Sequence, residues 1–74
     1  MTYTATAYST DRADVVEIRD AHGTLVASDA IPTIPTAHHL EDWALDTVIT
    51  LTGFARRGPW TRDSGKATAP VTRM

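Results

Sequence analysis

The 74 residues carry a formal net charge of −2 and no cysteine, which rules out a disulfide framework, a thiolate nucleophile and any cysteine-ligated zinc or iron–sulfur site. The length fits one domain spanning residues 1–74, with the last few residues a candidate for disorder, and lies near the limit at which a core alone sustains a fold; a homodimer is one expected way of completing burial. No apolar run approaches membrane-spanning length and MTYTATAYST has no basic stretch leading into an apolar one, so a cytoplasmic location is expected.

In chain order, Tyr3 to Tyr8 alternates Tyr3, Ala5 and Ala7 with Thr4, Thr6 and Tyr8, a first strand with two mild faces. After the polar STDRAD turn, Val15 to Arg19 alternates again, with Val16 and Ile18 expected inward. Asp20, Ala21, His22 and Gly23 predict a type I turn with a glycine bulge closing a hairpin. That turn would pair Ile18 with Val26, whereas a four-residue loop would pair it with Leu25. Either way one large apolar side chain stays on the outer face.

The IPTIP segment, Ile31 to Pro35, reads as a stiff strap leading to the single expected helix, Thr36 to Phe54. Thr36 is the expected N-cap, Gly53 the left-handed stop, and Phe54 a contact for Ile49. The stripe expected to be buried is Leu40, Trp43, Ala44, Thr47, Val48 and Leu51, leaving Glu41, Asp42, Asp46 and Thr50 to water. Beyond the helix, a looser hairpin turns at Asp63-Ser64-Gly65. Its prolines, Pro59 and Pro70, confine its arms to edge strands or irregular chain. The expected fold is a small α+β domain: an antiparallel sheet in the order β-β-β-α, followed by a β-β hairpin, with one helix packed across it.

Charge is divided along this chain. Residues 1–52 hold Arg12 and Arg19 against eight acids, whereas residues 53–74 hold Arg56, Arg57, Arg62, Lys66 and Arg73 against Asp63 alone. The acidic helix face and the basic tail can therefore meet within one molecule or between two copies. The segment Arg56, Arg57, Trp60, Arg62 and Lys66 is the strongest candidate site, for a partner or for nucleic acid: arginines grip phosphates and an interleaved tryptophan can stack on a base. The plainer account places Trp60 in the core and sets the arginines against the acids of the same chain. The overall pI near 5.8 favours that account.

Other chemistry finds little support. His38, His39, Glu41 and Asp42 crowd the start of the helix, but His22 is the only further histidine, and acids there already suit the helix dipole. Neither a metal nor a cofactor is expected. Ser9, Ser28 and Ser64 lie in no nucleophile motif, and Asp42 with Asp46 form an exposed pair that nothing desolvates, so no enzymatic activity is expected.

A three-stranded sheet followed by a helix resembles the topology of AP2-like and integrase arm-binding domains, which read a DNA groove with the sheet face. The outward residues here, Glu17 and Arg19 with Asp20, lack the arginine-rich aromatic face that such a role implies. The phrase VEIRDAHGTLVAS and the helix-Gly-aromatic-Trp ending resemble small uncharacterised actinobacterial and actinophage proteins, which implies no activity; the arginine-for-lysine bias fits such GC-rich sources. The resulting expectation is a non-enzymatic interaction or regulatory module that binds a protein partner or itself, with a nucleic-acid-binding accessory protein acting through residues 56–73 as the alternative.

Overall fold

Three strands, β1 (Tyr3–Ser9), β2 (Ala13–Asp20) and β3 (Leu25–Pro32), form an antiparallel meander. The computed structural model describes residues 2–32 and 41–74, and the statements below concern those residues. The period-two pattern of the sequence is realised in β1 and β2: Tyr3, Ala5, Ala7, Val16 and Ile18 are buried on one face, while Thr4, Thr6, Tyr8, Val15 and Glu17 turn to the other. Where β1 turns into β2, the buried carboxylate of Asp14 accepts a 2.6 Å hydrogen bond from the Ser9 hydroxyl.

The Asp20–Gly23 turn forms as its residues dictate. Gly23 N–H donates to Asp20 O, Asp20 N–H donates to Thr24 O, and Gly23 has a φ of +82°. Asp20 Oδ1 also accepts from the backbone N–H groups of His22 and Thr24. Beyond the turn the register departs from both expected pairings, because a bulge between Ile18 and Arg19 sets Ile18 opposite Ala27 and Arg19 opposite Leu25. The extra residue turns Ala27 and Ile31 toward the core and leaves Leu25 as the large apolar side chain outside, 45% exposed.

β3 continues through Ile31 and Pro32, so the start of the expected strap belongs to the sheet; residues 33–35 of that strap lie outside the described residues. β3 is the edge strand at this end of the sheet, and two of its positions carry no free donor. The Ala30 N–H is held at 2.8 Å by Asp29 Oδ1, and Pro32 has no N–H.

The helix, α1 (Asp42–Leu51), is shorter than expected and rests on a different face. Glu41, with extended backbone angles, is its N-cap; Thr36, the expected cap, and Leu40 lie outside the described residues. Leu45, Val48 and Ile49 are buried, whereas Trp43 is 70% exposed and Leu51 72%. Of the expected stripe, Val48 is buried and Ala44 half-buried, while Trp43, Thr47 and Leu51 point away from the sheet. The physical reason lies in the core that the helix completes. Leu45, Val48 and Ile49 share one buried cluster with Ala5, Ala7, Val16, Ile18, Ala67, Ala69 and Val71, and Trp60, Phe54 and Tyr3 already supply its large side chains, so a second indole would overfill it. At the other end the sequence reading holds: Gly53 has a φ of +91°, its N–H bonds Thr50 O, and Phe54 joins Ile49 in the core.

After α1 come β4 (Phe54–Arg56), β5 (Thr61–Asp63) and β6 (Lys66–Arg73). The last few residues, read as a candidate for disorder, thus include the end of β6, which at eight residues is as long as β2 and β3. β6 pairs with β1 along one side, and β4 and β5 share its other side. The result is a curled antiparallel sheet of six strands in the order β3-β2-β1-β6-β4, with β5 in line with β4. The β5–β6 turn is tight, with Ser64 and Gly65 both at positive φ, as a two-residue hairpin loop requires. At the far end the Arg73 guanidinium lies 5.4 Å from the Tyr3 ring centre and 5.2 Å from that of Phe54.

Pro70 sits inside the sheet, contrary to the expectation that it marks an edge. Its carbonyl accepts from Arg57 N–H at 2.7 Å, so its missing N–H faces the same side, where β4 has ended and β5 has not begun. The gap between the two short strands is what accommodates a proline in the interior. Gly58 lines that gap: a Cβ on it would lie 3.0 Å from Pro70 Cγ. Gly58→Ala is expected to lower stability by about 1 kcal/mol, read as a lower urea midpoint at unchanged m-value.

Candidate interaction surface

The basic hairpin runs antiparallel along one flank of α1, and the acids of the helix meet it there. Asp42 and Asp46 are four residues apart and share that flank. Arg62 Nη2 lies 2.6 Å from Asp42 Oδ1. Arg56 grips Asp46 with both ends of its fork, Nε to Oδ1 at 2.7 Å and Nη2 to Oδ2 at 3.0 Å. Trp60 is 7% exposed, and its indole N–H donates to Asp46 Oδ1 at 2.8 Å. The Asp46 carboxylate therefore holds the helix to both sides of the break between β4 and β5.

The five candidate residues of the basic segment do not form one surface. Arg56, Trp60 and Arg62 are engaged with the helix as described. Lys66 projects on the other face of the sheet, opposite Tyr8 and Asp63. Arg57 is exposed beside the Gly58–Pro59 excursion. Trp60, buried under α1, presents no open ring on which a base could stack. The outer face of the meander is likewise mixed in charge, with Arg19 3.6 Å from Glu17.

Among the described residues no three histidine or acidic side chains come together in a way that could hold a metal. His22 is exposed in the β2–β3 turn, and His38 and His39 lie outside the described residues. Asp42 and Asp46, the carboxylate pair considered for acid–base chemistry, are both ion-paired. No described helix is long and apolar enough to cross a membrane.

What the sequence reading missed is the outer ridge of α1. Trp43, Thr47, Thr50 and Leu51 lie opposite the buried Leu45, Val48 and Ile49. Each polar atom on this ridge is satisfied within the chain. The Thr47 hydroxyl donates to Trp43 O and the Thr50 hydroxyl to Asp46 O, both at 2.8 Å. The Trp43 indole N–H donates to the Glu41 carboxylate. With their hydroxyls turned inward, the threonines present methyl groups between an exposed indole and an exposed isobutyl side chain. The signal available in the sequence was the presence of two apolar stripes on one helix, of which a single sheet can bury only one.

No protein-family model, curated protein or solved structure matches the chain.

Proposed function

We propose that this chain is a non-enzymatic interaction module that docks a protein partner through the outer ridge of α1. The observation that carries this reading is the pairing of two large, largely exposed apolar side chains, Trp43 and Leu51, with neighbours whose polar atoms are already bonded. Covering such a ridge strips water from apolar surface and leaves no donor unmatched, so burial is gained without a desolvation penalty. Tryptophan is also the residue most often found to dominate a contact of this kind. Apolar patches rimmed by charge, as this one is by Glu41, Asp42 and Asp46, are typical of protein-binding surfaces.

The alternative, a nucleic-acid accessory protein, has weaker support. Arg56 and Arg62 already face carboxylates, which leaves Arg57 and Lys66 as the exposed cations of the segment that have no ion pair among the described residues.

The test is a double substitution, Trp43→Ala with Leu51→Ala. Folding stability should change little, since neither side chain enters the core, while affinity for a partner captured by the wild-type protein should fall at least tenfold. Equal capture by both proteins would sink the ridge as the binding surface. Loss of nucleic-acid retention in Arg57→Ala/Lys66→Ala, with the ridge variant unaffected, would favour the alternative.

A further inference from the structure

Resting on the ridge reading, we infer that the occupant of the ridge is a second copy of this chain, packed antiparallel about a two-fold axis that passes beside Thr47. The geometry is self-complementary. Trp43 and Leu51 stand four residues on either side of Thr47, roughly 6 Å each way along the axis. A two-fold at Thr47 lays each Trp43 on the partner copy's Leu51, so one large side chain meets another at both ends and the small threonine methyls meet at the centre. Small residues at a helix crossing let the backbones approach closely, and the hydroxyls here are already turned away toward Trp43 O and Asp46 O.

Charge points the same way. Of the three acids that rim the ridge, two are matched within the molecule, Asp42 by Arg62 and Asp46 by Arg56. The third, Glu41, accepts from the Trp43 indole at the N-terminal end of the helix, and in the antiparallel pair the two Glu41 carboxylates stand at opposite ends of the contact. Two copies therefore approach with less like-charge repulsion than a bare acidic helix would produce. The net charge of −2 adds little more. The cis ion pairs thus make the helix tolerant of its own image.

Area sets the strength. A ridge of two large side chains and two threonines covers on the order of 400 Å² per copy, below the roughly 800 Å² per partner of a standard stable interface. The dimer is accordingly weak and concentration-dependent. Monomer predominates near ~10 μM and dimer near ~1 mM.

Sedimentation equilibrium across that range tests this directly. The expected result is a reversible monomer–dimer equilibrium that persists or strengthens in high salt, because the contact is apolar. Leu51→Asp should remain monomeric throughout while melting like the wild type in dilute solution. Because the chain has no cysteine, Thr47→Cys gives a second readout. Mild oxidation should link it to a covalent dimer at high concentration, whereas Ser64→Cys, at the far hairpin, should link no faster than by random collision. A wild-type protein that stays monomeric to 1 mM overturns the inference, as does a dimer that survives Leu51→Asp or dissolves in salt. The first of these outcomes, combined with ridge-dependent capture of a different protein, removes the second copy and leaves the ridge as a docking surface. A monomer with no ridge-dependent capture removes both.

Discussion

Trp60→Ala is expected to unfold much of the protein at 37 °C, whereas Trp43→Ala leaves the thermal midpoint within a degree or two of wild type. The two indoles differ in environment, not in chemistry. Trp60 is 7% exposed under α1, and its N–H supplies one of the bonds that hold Asp46. Truncating it opens a cavity and removes a donor from a carboxylate that also organises Arg56, a combined loss of about 3–5 kcal/mol by comparison with other buried aromatics. A chain of this length has a total stability of only about 4–11 kcal/mol, so that loss is a large fraction of the whole. Trp43 is 70% exposed and its indole bonds only the adjacent Glu41. Urea melts of the two variants followed by far-ultraviolet circular dichroism give the comparison. Equal destabilisation by both would mean that the helix seats its Trp43 face on the sheet.

Ala5→Leu should be nearly as damaging, through excess volume. Ala5 is fully buried in the middle of the sheet, flanked across the strands by Ile18 on β2 and Ala69 on β6. Leu45, Val48 and Ile49 share its buried cluster, in which the methyl-sized side chains of Ala5, Ala7, Ala67 and Ala69 leave the volume that the larger residues fill. A leucine at position 5 has nowhere to go except against the helix, and overpacking of that kind costs about 1–3 kcal/mol or more. The strain should concentrate at the helix–sheet interface. Amide exchange in α1 is therefore expected to rise more than exchange in the β2–β3 hairpin, and uniform acceleration across the chain would argue against a helix packed in the same cluster as Ala5.

Much of the sheet was legible from residue order, and the reasons are local. Alternation in Tyr3–Ala7 and Val16–Ile18 names the buried face because strand side chains can take only two directions. Asp20 and Gly23 specify their turn through a side-chain acceptor and a positive φ, both properties of single residues, and Gly53 stops the helix for the same kind of reason. The helix face was less accessible. Residues 43–51 carry two apolar stripes, and periodicity states which side chains share a face without stating which face meets the sheet; that depended on core residues of the sheet, from Tyr3 to Val71, most of them distant in sequence. Pro70 shows a similar limit. A proline excludes a hydrogen bond on one side of a strand, but whether that side is occupied is decided by where β4 breaks off and β5 begins. The Asp46 hub was half visible, since the sequence sets acids against arginines but does not place the Trp60 indole on the same carboxylate.

The pairing of β1 with β6 has a consequence for how the chain comes to be folded. These adjacent central strands are the first and the last in order, with Tyr3 opposite Val71. Until the chain has been made through Arg73, the early meander holds its alanine-lined face bare on one side and an unpaired edge on the other. The sheet therefore closes late, over contacts that span almost its whole length, a topology that folds in milliseconds to seconds and not microseconds. During that interval the open edge of β1, whose residues Tyr3 to Ala7 are uncharged, is exposed to neighbouring chains; pairing with β6 is what finally removes that edge from self-assembly into aggregates.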